Sequence, residues 1–278
     1  MKHIIVVCLL CVMSTLTHAK QREHYKKKLV YSCNFSKQED LNDWVMEGPG
    51  VASIRNGKLI LTPSYQKVVA DYFSSKGQIF DGRITDYYKP LEDAIESEIG
   101  DEVKKYYYEG AFKGGHIVYW NKFHTPDNYI LSCDFKSLSP HALHMLMFSC
   151  TGIEGQSVFD KKLNPRCGVA AQYTKGDLKN YRISFFAPFR GTSHMRKCPG
   201  RILTVKGEDL TLKHPNRTHR LKVVKYKNYI AWYIDNKLCF SFTDETKEGS
   251  LGGGQTAIRL MVPAIGSYDN YKIYEIHK

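Results

Sequence analysis

Short runs of alternating apolar and polar residues fill most of the chain after residue 116, and they end at polar or glycine-containing turns. Alternation with a period of two is typical of β-strands that bury one face. The clearest predicted strands in this part span residues 116–120, 129–135, 144–150, 220–226, 229–234, 238–242, 257–262 and 270–276. Nearer the start, Asn56-Gly57 lies between two further alternating runs and predicts a β-hairpin. Many short strands with little helix predict an all-β sandwich.

Residues 65–112 interrupt this strand pattern. The segment is charged and rich in tyrosine, and its apolar residues over 90–106 recur at helical spacing, at Leu91, Ala94, Ile95, Ile99 and Val103. We therefore expect a partly helical insertion that lies over the sheet or is partly unstructured.

The first 19 residues have the features of a secretory signal peptide, with Lys2 before an apolar core and Ala19 at the cleavage position. The apolar core is much shorter than the ~20 residues that span a bilayer, so membrane insertion is not expected. We predict a secreted, extracellular protein with a basic leader over residues 20–28 and one domain over residues 29–278. The sequons at Asn34 and Asn216 are glycosylation candidates in that compartment.

Cleavage of this signal leaves six of the eight cysteines, namely Cys33, Cys133, Cys150, Cys167, Cys198 and Cys239. An even number in an oxidising compartment predicts up to three disulfide bridges, whose pairing the sequence leaves open. Cys167 and Cys198 bracket the most polar predicted strands and are one candidate pair. The cysteines do not have the spacing of a zinc site, so no metal ion or cofactor is predicted from them.

The formal net charge of +12 favours an acidic partner. Secretion argues against nucleic acid, and the sequence has no basic amphipathic helix of the kind that lies on a membrane. An acidic polysaccharide is therefore the leading partner. The alternative is that the lysines only keep the protein soluble, and the oligomeric state does not follow from the sequence.

The stretch over residues 167–207 carries more ionisable side chains than buried strands need. If it is a strand, Tyr173 and Lys175 share one face, whereas Tyr181 and Arg182 point to opposite faces. The concentration of these side chains predicts a ligand site, to which His116 contributes from a neighbouring strand.

The motif YDNYKIY over residues 268–274, beside a strand at 257–260, resembles the concanavalin-A-like jelly rolls. The chain is similar to the YesU-like family in segments that are, in order, Trp44 with Glu47-Gly48, residues 116–120, 159–160, Arg166, residues 173–181, 196–200, 252–254, and Arg259 with Met261 and Pro263. The resemblance implies a two-sheet jelly roll whose concave face holds sugar. Lys175 and Arg182 stand where the family pattern has histidines, which favours binding without turnover.

The leading hypothesis is a carbohydrate-binding jelly roll that recognises an extracellular, acidic polysaccharide. Aromatic rings stack on sugars, and arginine binds carboxylates or sulfates through a bidentate fork. The candidate ligand-binding residues are Trp120, Arg182, Arg196, Lys197 and Arg259.

A second hypothesis is a polysaccharide lyase that cleaves uronate-containing glycans by β-elimination. This reaction needs a base for the C5 proton, an acid for the leaving oxygen and cations on the carboxylate. Tyr173, Tyr181, His116 and Lys175 are the candidate catalytic residues. Glycoside hydrolysis is less favoured, because its two carboxylates must lie roughly 5–10 Å apart and the acidic residues here are scattered.

Two further possibilities are weaker. Asp244-Glu245 and Asp269-Asn270 are candidate ligands for a structural calcium ion, which binds clustered oxygen atoms. A non-catalytic extracellular interaction protein is the third functional class that the sequence allows.

Overall fold

The computed structural model describes residues 25–75, 88–113, 116–140 and 143–278. The predicted signal peptide and the leader up to residue 24 lie outside these residues. Within the described part of the chain, none of the helices is long and apolar enough to cross a membrane.

The alternating runs form strands that pair in antiparallel fashion. In chain order they are β1 (Lys26–Cys33), β2 (Trp44–Glu47), β3 (Gly50–Arg55), β4 (Lys58–Pro63), β5 (Tyr107–Tyr108), β6 (Ala111–Phe112), β7 (Ile117–Thr125), β8 (Tyr129–Ser137), β9 (His144–Gly152), β10 (Leu178–Phe185), β11 (Thr192–Cys198), β12 (Ile202–Glu208), β13 (His219–Tyr226), β14 (Tyr229–Ile234), β15 (Lys237–Thr243), β16 (Gly254–Leu260) and β17 (Gly266–His277).

Two large sheets make up the domain. The eight-stranded sheet has the order β15-β14-β13-β8-β17-β4-β3, with β1 also paired to β17. The seven-stranded sheet has the order β12-β11-β10-β9-β16-β7-β2. Their inner faces enclose the main core, in which the ring of Trp232 lies 5.6 Å from that of Phe185 across the sandwich. The predicted all-β sandwich is therefore confirmed.

The insertion contains helices that pack on the outer face of the seven-stranded sheet. These are α1 (Gln66–Ser75), α2 (Tyr88–Ile99) and a 3₁₀ helix (Gly100–Tyr106). Their apolar residues, including Leu91, Ile95 and Val103, form one cluster with Met145 of β9. The helical spacing over 90–106 thus predicted the buried stripe, although α2 gives way to the 3₁₀ helix at Gly100, where φ is +67°.

Two local predictions are wrong. Residues 173–175 are not in a strand, because Tyr173 lies in the short helix α3 (Ala170–Thr174). Strand β1 begins at Lys26, inside the predicted leader, because the backbone there pairs with the last strand, β17.

The six cysteines that follow the predicted signal are free thiols, so the predicted disulfide bridges are not formed. The proposed partners Cys167 and Cys198 have different surroundings. The Cys167 thiol lies against the Tyr107 carbonyl at 3.8 Å, whereas Cys198 is buried at the end of β11.

Candidate functional site

Three predicted ligand-binding arginines share the outer face of the seven-stranded sheet. Arg182 on β10 pairs with Arg196 on β11 and with Met147 on β9. Arg259 on β16 pairs with Met145, which lies two residues from Met147 and so points to the same face. With neighbouring strands about 4.8 Å apart, the three steps from β11 to β16 separate the strands of Arg196 and Arg259 by about 14 Å. We call Arg259, Arg182, Arg196 and the neighbouring Arg201 the arginine row.

The guanidinium of Arg182 is the most unusual group of this row. Arg182 is only 6% exposed, yet its guanidinium forms no hydrogen bond or ion pair with any residue of the described ranges. Burial lowers the pKa of Arg182 to about 9; the neighbouring Cys198 opposes this shift, and repulsion from Arg259, Arg201 and Arg196 adds to it. A buried charge without a hydrogen-bonding partner costs free energy, and an anionic ligand would remove that cost.

Further basic side chains lie beside the arginine row. His194 on β11 is half-buried, and burial together with Arg190, Arg196 and Lys206 lowers its pKa to about 4. Arg190 donates hydrogen bonds to the Ser184 carbonyl at 2.7 Å and to the Ser184 hydroxyl at 2.8 Å, so it fixes the loop beside the row. This end of the sheet therefore has a positive potential that favours anions.

Arg259 is held by a second network, at the other end of the row. Its guanidinium carbon lies 5.1 Å from the centre of the Tyr173 ring, and it donates a hydrogen bond to the Gly168 carbonyl at 3.4 Å. The Tyr173 hydroxyl in turn donates to Glu47 at 2.6 Å, and Arg166 pairs with the same carboxylate at 2.8 Å. The four side chains therefore bind one another and fix the position of Arg259.

The candidate proton-transfer groups are enclosed. Burial and then the negative charge of Glu47 raise the pKa of Tyr173 well above its usual range, so the phenol stays protonated. Burial and then Arg259 lower the pKa of His116 to about 3, which keeps its imidazole neutral. The His116 carbonyl also contacts the backbone at Gly48 and Gly168, where a Cβ atom would lie 2.0 Å from the oxygen.

The remaining predicted site residues do not join the arginine row. Tyr181 and Lys197 point to the other side of the sheet, because each is adjacent in sequence to a row arginine on the same strand. There the Tyr181 hydroxyl donates to Asp244, and the Lys197 ammonium lies 2.9 Å from the same carboxylate. Lys175 is exposed beyond the end of α3.

Trp120 shares the face of the arginine row, because it pairs with Ala257, but it is fully buried. Its ring packs with Tyr173 and Val158 in a separate apolar cluster. Trp120 therefore supports the segment above it and offers no ring face for stacking on a sugar.

Two important residues were not predicted as site residues. Arg201 is exposed, and its carbonyl accepts a hydrogen bond from Arg196 at 3.1 Å, so the turn between β11 and β12 orients both arginines. Glu47 lies 119 residues before Arg166, its partner in the ion pair. Only the pairing of β2 with β7 brings Glu47 onto the sheet, and sequence spacing does not reveal that pairing.

The candidate calcium ligands already have protein partners. The Asp244 carboxylate binds Lys197, Tyr181 and Thr246, while Asp269 accepts a hydrogen bond from the Asn270 amide at 2.6 Å. In the described ranges no group of three or more acidic, histidine or cysteine side chains is arranged to hold a metal ion. Structural calcium remains an untested prediction.

A cavity of about 730 Å³ lies elsewhere, at the end of the sandwich. Its lining includes Leu138, Phe186 and Leu212 together with three prolines, and Lys136 is its only ionisable residue among those described. Because this cavity offers only one charged side chain, we place the candidate site on the arginine row instead.

Two buried histidines, His116 and His144, make stability depend on pH. Burial lowers the pKa of both His116 and His144 to about 3, below the value of about 6.5 expected in the unfolded chain. The unfolded chain therefore binds more protons as the pH falls from about 6.5, and each histidine removes about 1.4 kcal/mol of stability per pH unit down to its folded pKa. Chemical denaturation between pH 7 and pH 4 measures this slope.

His116→Asn should reduce the slope, whereas the control His214→Asn, at an exposed position, should leave it unchanged. An unchanged slope in His116→Asn would contradict the lowered pKa of His116.

Comparison with known families agrees with this architecture. Residues 108–273 match the model of a family described as "Domain of unknown function (DUF1961)". The chain belongs to the DUF1961 family. The match includes Arg182, Arg196 and Arg259, whereas Glu47 lies outside it. The DUF1961 assignment also agrees with the predicted resemblance to YesU. The protein named "Uncharacterized protein YesU" from Bacillus subtilis (strain 168) is 29% identical over 172 residues, which cover 58% of this chain and 77% of that protein.

Solved structures confirm the fold of this DUF1961 protein. A Bacillus subtilis protein of unknown function with a galectin-like fold aligns with a TM-score of 0.70 and 22% identity, covering 92% of this chain and 100% of that one. The kappa-carrageenase of Pseudoalteromonas carrageenovora, in complex with an oligotetrasaccharide of kappa-carrageenan, aligns with a TM-score of 0.51 and 11% identity over 95% of this chain and all of that one. The predicted concanavalin-A-like jelly roll is confirmed, and identities this low establish the fold alone.

Proposed function

We propose that this protein is secreted and binds an extracellular acidic polysaccharide through the arginine row. The single observation that carries the proposal is the guanidinium of Arg182, which is almost fully buried and has no hydrogen-bonding partner in the described ranges. A carboxylate or a sulfate ester would accept a bidentate pair of hydrogen bonds from it. The bound anion would also relieve the repulsion among Arg182, Arg196 and Arg259.

Two further observations support a glycan as the carrier of that anion. The net charge of +12 would attract a polyanion over a longer range than one contact can. The fold is shared with kappa-carrageenase, which was solved with a carrageenan fragment, and this likeness of fold is an argument by analogy.

The lyase hypothesis receives no specific support from the geometry. A phenol acts as a base only when it loses its proton, and Tyr173 and Tyr181 are both fully buried with raised pKa values. Burial is the largest cause in each case. Elimination therefore stays an untested alternative, and so does an interaction protein that binds no glycan.

Binding to immobilised glycans of matched backbone separates these functions. We expect retention on sulfated and uronate-containing glycans, elution by salt because the contacts are electrostatic, and no retention on desulfated or carboxyl-reduced forms. The same samples should show no rise in the ultraviolet absorbance of an unsaturated uronate. Such a rise would favour the lyase, equal retention on neutral forms would contradict the anion site, and no retention on any glycan would favour the interaction protein.

Secretion and glycosylation are tested together. The side chains of Asn34 and Asn216 are exposed, as an N-glycosylation acceptor must be. Expressed in a eukaryotic secretory host, the protein should appear in the medium with Lys20 as its first residue, and a glycosidase should lower its mass. Asn34→Gln and Asn216→Gln should each remove one glycan. Retention in the cell with residues 1–19 intact would contradict the proposal.

A further inference from the structure

The exposure of the arginine row falls steadily from one end to the other. Arg201 is exposed and Arg196 is half-buried, whereas Arg182 is 6% and Arg259 only 1% exposed. The exposed end lies beside β12, the edge strand of the sheet, and the buried end lies on β16, four strands inward. The row therefore leads from the rim of the sheet to its covered interior.

Two segments cover the buried end. Residues 153–174 lie over β7 and β16, where Val158 and Tyr173 pack on Trp120 and Ala257. The insertion lies over the neighbouring part of the sheet, where Val69, Phe73 and Ile95 cluster with Met145. Both segments thus pack on the same face, at the buried end of the row.

These covering segments also meet each other. The Cys167 thiol lies 3.8 Å from the Tyr107 carbonyl of the insertion, and the Gly168 carbonyl accepts the hydrogen bond from Arg259. Beneath them, the close contact of Gly48 and Gly168 with the His116 carbonyl leaves no room even for one Cβ atom. In the described ranges the row is therefore closed at Arg259 and open at Arg196 and Arg201.

We infer that the arginine row receives the end of an acidic glycan chain rather than an internal stretch. This inference rests on the proposed function and narrows its ligand class. A polymer bound along its length needs an exit at both ends of the site, and the contacts above Arg259 block one of them. The terminal sugar would place its carboxylate or sulfate on Arg182, and the preceding sugars would lie against Arg196 and Arg201.

A length series of one acidic glycan tests the inference on the unmodified protein. Calorimetric titration with fragments from the disaccharide to the polymer should give one bound protein per chain at every length. The affinity per mole of chain should stay constant once the fragment spans the row. A stoichiometry that rises with chain length would overturn the inference while leaving the proposed function intact. Failure of every acidic fragment to bind would instead overturn the proposed function.

Blocking one end of the glycan chain at a time provides a second test of the inference. A bulky group attached at the end that enters the site should abolish binding, whereas the same group at the opposite end should have no effect. Binding that survives both modifications would contradict recognition of a chain end. Lys222→Ala serves as the matched control for unspecific charge, because Lys222 lies over Tyr233 on the outer face of the other sheet. This variant should bind the fragments as the unmodified protein does.

Discussion

Arg182→Met should make the protein more stable and at the same time unable to bind acidic glycans. The substitution replaces a largely buried charge, which has no hydrogen-bonding partner in the described ranges, with an apolar side chain of similar length, and this should raise the free energy of unfolding by about 1–4 kcal/mol. It also removes the donor of the charge-assisted hydrogen bonds to the ligand. Since such contacts contribute about 2–5 kcal/mol, the affinity should fall at least about 30-fold. Chemical denaturation and calorimetric titration measure the two effects.

Arg190→Met is the contrasting variant. Arg190 is half-buried, and it donates hydrogen bonds to Ser184 and to the Thr192 carbonyl. Its loss leaves those acceptors unsatisfied, so this variant should be less stable than the unmodified protein. Equal destabilisation by both substitutions would mean that Arg182 is a structural residue, and the proposed anion site would be wrong.

Asp244→Asn should have the largest effect on stability. Burial raises the pKa of Asp244, but hydrogen bonds from Thr246, Tyr181 and Lys197 outweigh it and lower the pKa below its usual value. Removing the charge leaves the Lys197 ammonium buried without its counterion, which should cost about 3–5 kcal/mol. Because the folded pKa is depressed, this stabilisation is complete above about pH 4 and is lost as the pH falls through the folded pKa.

Denaturation of Asp244→Asn beside Asp71→Asn measures that cost. Asp71 pairs with Lys67 on the exposed surface of α1, where an ion pair contributes little, so its variant should keep the stability of the unmodified protein. The folded fraction of Asp244→Asn should still bind acidic glycans, because Lys197 points away from the arginine row. Loss of binding in the folded variant would mean that Lys197 belongs to the glycan-binding site after all.

Much of the fold follows from local patterns. Asn56-Gly57 forms the predicted hairpin between β3 and β4, and the alternation over 220–234 forms the hairpin of β13 and β14. Two short elements were missed for physical reasons. Strand β2 has only four residues, and pairing with β7 rather than its own pattern makes it a strand. Helix α3 spans only five residues at the end of the segment 153–174. It depends on the packing of Tyr173 against Trp120 and Val158.

The site was predictable only in part. Strand alternation correctly separates Tyr181 from Arg182, but it does not say which of the two faces the core. Tyr181 is the residue that faces the core, because its ring packs 5.5 Å from that of Phe148. A single site therefore cannot use both residues. The burial of Arg182 and the closure above Arg259 depend on residues 153–174 and on the insertion, whose positions are tertiary properties.

A crystal structure of the protein with an acidic oligosaccharide tests the central claim most directly. We expect a carboxylate or sulfate of the ligand within hydrogen-bonding distance of the Arg182 guanidinium, with the neighbouring sugars against Arg196 and Arg201. An oligosaccharide bound to another face of the sandwich, with no contact to Arg182, would contradict the account.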